Sequence, residues 1–129
     1  IEQNGYYSAL FPFICALILT ILIELIVLIL FLRRWKVKKW KKPLLTVAIA
    51  NIISVPLVWI IFLALVTALA SIFLAIVIVE AFAVVFEAYA IFFFNKKILP
   101  LKRSFILSIV MNAASFVVGG IILAFLIIL

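Results

Sequence analysis

Leu44 to Phe94 reads LLTVAIANIISVPLVWIIFLALVTALASIFLAIVIVEAFAVVFEAYAIFFF, and the only charged side chains in it are Glu80 and Glu87. As one α-helix this stretch would run for about 75 Å at about 1.5 Å per residue, more than twice the roughly 30 Å of a bilayer's hydrocarbon core. It therefore has to fold back on itself. Thr67-Ala68-Leu69-Ala70-Ser71 holds the only polar interruption near its middle, which predicts a tight turn between two membrane-crossing helices.

Working outward, the stretch is flanked by two basic segments. Arg33, Arg34, Lys36, Lys38, Lys39, Lys41 and Lys42 precede it, with Trp35 and Trp40 among them; Lys96, Lys97, Lys102 and Arg103 follow it, and together they account for all 11 basic residues. Two further apolar runs lie beyond. The spans are expected at about Tyr7 to Leu32, from Pro43 to the central turn, at about Ser71 to Phe94, and at about Ser104 to Ile127, with Pro43 in the first turn of its helix, where a missing N–H costs nothing. With 72% hydrophobic residues and a mean hydropathy of +1.62, against about half apolar in soluble domains, the chain reads as an all-α integral membrane protein. Residues 1–129 form a single membrane domain, with no length left for a globular one.

The net charge of +7 is confined to the two short loops. That distribution argues against nucleic-acid binding and for positive-inside orientation: both loops cytoplasmic, both termini outside, in the plasma membrane. The run Arg33 to Lys42 is expected to anchor the chain to anionic headgroups, and Tyr6 and Tyr7 suit the outer aromatic belt after the polar residues 1 to 5. Self-association into a homo-oligomer is compatible with this composition. The sequence opens on Ile1 rather than Met, which fits removal of an upstream segment, and a cleaved signal peptide would suit an outer N-terminus. Cys15, the only cysteine, lies in an apolar helix and is expected to be a small packing residue. There is no histidine, so histidine-based haem, zinc and proton-relay chemistry is excluded.

A polar pattern occurs twice within the apolar spans. Glu24 is followed by Asn51-Ile52-Ile53-Ser54, and Glu87 by Asn112-Ala113-Ala114-Ser115. In each copy the Glu precedes a basic loop and the Asn-x-x-Ser lies in the returning helix. This predicts an internal duplication, repeat 1 at about 7–66 and repeat 2 at about 71–127. The two hairpins share one orientation, so their pseudo-two-fold axis should lie along the membrane normal.

Counted from the basic ends at about 1.5 Å per residue, Glu24, Asn51, Glu87 and Asn112 all lie roughly 12 to 14 Å deep. Ser54 and Ser115 sit one turn beyond, on the same face as their Asn. Glu80, seven residues before Glu87, shares its face nearer the outside; its counterpart in the first copy is Leu17. Thr20 and Ala83 mark interior faces where helices come close. No basic residue lies in any span, so the carboxyl groups should be protonated, share protons with Asn and Ser, or be neutralised by a bound cation. Glu, Asn and Ser oxygens are the ligands of Na⁺, Ca²⁺, Mg²⁺ or Mn²⁺. Pro56 and Gly119-Gly120 fall just outward of the two Asn-x-x-Ser segments, and interrupted helices at matching places of two repeats point to a transporter's binding site.

The functional expectation is ion transport or proton-coupled transport through a central cation or proton site made by Glu24, Glu87, Asn51, Asn112, Ser54, Ser115 and Glu80. The first alternative is a membrane scaffold or assembly protein whose polar layer only fixes helix packing. Four short spans with a membrane Glu in the first resemble, in outline, the small multidrug resistance transporters. Those are single-copy subunits that form their cavity by dimerising, whereas this chain carries its pattern twice and has two further membrane Glu residues. The resemblance implies the second alternative, a Glu-dependent exporter of organic cations. Catalysis has little support: no His or Lys base is within reach of a membrane Ser, and although paired carboxylates could in principle serve acid/base chemistry, the chain has no Asp and no recognisable catalytic motif; no cofactor beyond a bound cation is implied.

Overall fold

The computed structural model describes residues 3–129, and for residues 3–10, 123 and 127 it describes the backbone alone. Four helices follow in order: α1 (Gln3–Arg34), α2 (Lys41–Leu69), α3 (Ile72–Phe94) and α4 (Leu101–Ile128). Each is long and apolar enough to cross a membrane. α1 starts earlier than expected, at Gln3 rather than about Tyr7, so the polar residues 3–5 are already helical. The belt expected of Tyr6 and Tyr7 concerns side chains outside the described residues.

The turn in the long apolar stretch falls where its polar interruption placed it. Ala70 ends α2 in the left-handed conformation, φ 51°, with its N–H on Val66 O, and Ser71 caps α3 by accepting from Leu74 N at 3.3 Å. The reversal takes two residues, because one left-handed residue closes the old helix and a serine hydroxyl opens the next. At the end bearing the basic segments, here the basic end, Lys36 closes α1 in the same way with φ 56°, and Val37 N donates to Leu32 O at 2.9 Å.

The expected helix interruptions do not form. α2 runs unbroken through Pro56 and α4 through Gly119-Gly120, because apolar flanks on both sides sustain the helix where hydrocarbon leaves backbone groups no other partner. Pro56 has no N–H to give the carbonyl of Ile52, yet the helix continues for thirteen residues to Leu69. A Cβ placed on Gly119 or Gly120 would meet nothing within 4 Å, so these glycines do not mark a close helix approach either.

Each helix packs against two neighbours, α1 on α2 and α4, α3 on α2 and α4, and among the described residues neither diagonal pair comes into backbone contact. The result is a four-membered ring with a side-chain interior. Leu28, Leu32, Val47, Ile91, Leu99, Leu107 and Met111 form its core, all in the half toward the basic end. In the other half, Ala75 and Val79 are the only buried apolar residues among those described. The outward faces are apolar, as a lipid-facing surface requires. Cys15 lies on that exposed surface, correcting the expectation that it packs inside. Trp35 is half-buried with Arg103 stacked over its ring at 4.8 Å, tying the end of α1 to the start of α4, while Trp40 is 50% exposed.

Candidate functional site: a buried polar layer

The positions that became interior are set by register. Along α1, Glu24, Leu28 and Leu32 are buried, and along α3 and its capping residue so are Glu87, Ile91 and Asn95. Four-residue steps keep one helix face inward. On α2 the buried face runs through Pro43, Val47, Ala50, Asn51 and Ser54, and on α4 through Ser104, Ser108, Met111 and Asn112. Each hairpin thus turns inward a Glu on its descending helix and an Asn on its returning helix.

At the layer these groups join directly. Asn51 Nδ2 donates to Glu24 Oε2 at 2.5 Å, and Asn112 Nδ2 donates to Glu87 Oε2 at 2.8 Å. Ser115 Oγ then lies 3.2 Å from Glu24 Oε1 and 3.1 Å from the carbonyl of Asn112. One chain of hydrogen bonds therefore runs Asn51, Glu24, Ser115, Asn112, Glu87, with a member on every helix. The two carboxyl groups meet across the ring, close enough to hydrogen-bond to each other if one carries a proton. Glu24 is 1% exposed and Glu87 is 2% exposed.

The amide orientations can be assigned. Asn51 Nδ2 also reaches Val47 O at 3.1 Å, and Asn112 Nδ2 reaches Ser108 O at 2.9 Å. A backbone carbonyl only accepts, so the NH₂ rather than the oxygen must face it. Both asparagines accordingly present N–H groups, not Oδ1, to the carboxyl groups.

The remaining expected residues divide. Ser54 is buried, yet it makes no hydrogen bond with another described residue, unlike its counterpart Ser115. Glu80 is partly buried, and its charge reaches Glu24. Two cavities lie away from the layer, one on the α3 surface around Phe86 and Phe93, the other at the basic end. Among the described residues no three His, Cys, Asp or Glu side chains cluster as metal ligands.

Three polar residues were missed in the sequence reading. Ser108 donates to Val84 O at 2.6 Å, bridging α4 to α3; Asn95 donates to Thr46 Oγ1 at 3.2 Å, bridging α3 to α2; Ser104 is fully buried and donates to Pro100 O at 3.1 Å. A signal existed for two of them. Ser104, Ser108, Asn112 and Ser115 form a stripe at helical spacing on α4, which extends the face of Asn112 and Ser115 toward the basic end.

Fold and site together define a multi-pass helical membrane protein with a buried carboxyl-amide-hydroxyl layer. The chain matches no family model, no curated protein and no solved structure.

Proposed function

We propose that this protein binds a proton or cation at the Glu24/Glu87 layer and moves it across the membrane. The observation that supports this most is the meeting of two fully buried carboxyl groups in an interior whose spans contain no basic side chain. Two adjacent carboxylates cannot both stay ionised in such a place, so the pair takes up a positive charge from solution. The amide N–H groups aimed at it suit a proton better than a metal ion, since a metal would call for Asn Oδ1 to face the carboxyl groups.

In this reading the hairpins α1–α2 and α3–α4 are copies of one unit with the basic end cytoplasmic and both termini outside. The outer half, where Glu80 sits, forms the approach to the layer. Lys39 and Lys42 of one loop and Lys96 and Lys97 of the other line a hollow of about 380 Å³, which suits anionic lipid headgroups.

The direct hydrogen bonding of the layer favours a second reading, a scaffold in which the polar groups fix helix pairing. Melting temperature in detergent separates the two. Transport predicts a dependence on pH, or on Na⁺, Ca²⁺, Mg²⁺ or Mn²⁺, that Glu24→Gln/Glu87→Gln abolishes while the fold survives. A wild type indifferent to pH and to every cation leaves the scaffold reading standing.

A further inference from the structure

The two carboxyl groups are bonded unequally. Both oxygens of Glu24 accept, from Asn51 and from Ser115, whereas Glu87 has only Oε2 engaged, and its buried Oε1 has no partner. A carboxylate oxygen can only accept, and a buried unpartnered acceptor is costly. Protonation turns that same atom into a donor, and the Glu24 carboxyl is within reach of the Glu87 carboxyl.

We infer that Glu87 holds a resident proton on Oε1 while Glu24 is the group that gains and loses one, with the Ser115 hydroxyl turning between the two states. The assignment rests on the proposed proton-carrying layer and gives its two acids different roles.

With the proton on Glu87 Oε1, the negative charge of Glu24 receives hydrogen bonds from Asn51, Ser115 and Glu87. With the single proton on Glu24 instead, the charge on Glu87 would receive hydrogen bonds only from Asn112 and the Glu24 O–H. The first arrangement gives the ionised carboxylate three hydrogen bonds, the second two. Ser115 then allows Glu24 to change state, because its Oγ lies 3.2 Å from Glu24 Oε1 and 3.1 Å from Asn112 O, and its one hydrogen can serve either. When Glu24 is ionised the hydroxyl donates to it. When a proton arrives, the Glu24 Oε1–H bond forms, that group donates to Ser115 Oγ, and the hydroxyl turns to Asn112 O. Release breaks the O–H bond and returns the proton to water, the layer passing from neutral to a charge of −1. Glu87 has no such rotor, since Ser54 bonds neither carboxyl group.

The groups facing the pair from each element fit these roles. Glu80 on α3 is the other acidic side chain among the described residues whose charge reaches Glu24, and it lies on the terminal side of the layer. α2 and α4 contribute Asn51, Ser54, Asn112 and Ser115, none of them titratable.

The test is infrared spectroscopy of the carboxyl C=O stretch in lipid, in a Glu2→Gln/Glu80→Gln background where the layer holds the only acidic side chains. The C-terminal carboxyl is common to all variants and subtracts out. The parent should show a protonated-carboxyl band that persists across neutral and mildly alkaline pH, plus a second that grows as pH falls. Glu87→Gln, whose amide N–H replaces the acid O–H, should lose the persistent band and keep the titrating one; Glu24→Gln should lose the titrating band alone. The reverse assignment, or two equivalent bands titrating together, overturns the inference while leaving proton transport standing. Absence of any protonated-carboxyl band from the parent at neutral pH overturns it without recourse to a variant. Proton flux in vesicles is read separately: absent flux with the expected bands ends the transport reading and leaves the proton assignment intact.

Discussion

The hairpins α1–α2 and α3–α4 bury the same register but not the same chemistry. Glu24, Leu28 and Leu32 correspond to Glu87, Ile91 and Asn95; Pro43, Val47, Ala50 and Asn51 correspond to Ser104, Ser108, Met111 and Asn112, and all of these are buried. The layer is matched pair for pair. Away from it, Leu17 faces Glu80 in this correspondence, Leu32 faces Asn95, Pro43 faces Ser104 and Val47 faces Ser108. At each of these four positions the first hairpin is apolar and the second polar. The difference teaches that at these four positions the second hairpin adds polar groups on both sides of the layer where the first packs apolar ones.

The comparison breaks completely if the hairpins do not share an orientation. In a Cys15→Ser background, single cysteines at Lys38 and Lys97 should react with an impermeant thiol reagent from the cytoplasm only, and a cysteine at Leu129 from outside only. Labelling of the two loops from opposite sides removes the correspondence.

The next effect is in packing. Leu28 and Ile91 are both fully buried at matched positions, so Leu28→Ala and Ile91→Ala should each destabilise the bundle by about 2 kcal/mol or more, read by unfolding in mixed micelles. A loss at one and not the other means the registers match only by coincidence.

Smaller still are the hydroxyls, where the hairpins differ. Ser108→Ala and Ser115→Ala should each cost about 0.6 kcal/mol, the usual worth of a side-chain hydrogen bond between membrane helices. Ser54→Ala, which removes no bond to a described residue, should lie within about 0.5 kcal/mol of wild type. Equal and large losses at Ser54 and Ser115 would restore the symmetry that the bonding denies.

Much of this was legible in the sequence because hydrocarbon is a strict solvent. Four spans, the turn at Ala70-Ser71 and the shared depth of Glu24, Asn51, Glu87 and Asn112 all follow from charge, length and rise per residue. Two things did not follow. Breakers were expected to interrupt α2 and α4, yet proline and glycine only weaken a helix locally, and a bilayer offers its backbone nothing better. The inward face of α4 was read too short, so Ser104 and Ser108 escaped; a serine one or two turns from an Asn carries no charge to draw notice, and only register reveals it. The direct bonding of the layer was beyond the sequence as well, since depth says which groups meet but not whether water stands between them.

The central claim is that the layer carries a positive charge across the membrane, and flux tests it most directly. Purified protein in vesicles holding a pH-sensitive dye should dissipate an imposed pH gradient faster than empty vesicles do, and Glu24→Gln/Glu87→Gln, folded to the same extent, should fall to the empty-vesicle rate. Wild-type vesicles no leakier than empty ones to protons, Na⁺, Ca²⁺, Mg²⁺ and Mn²⁺, or a double variant as fast as wild type, would contradict it.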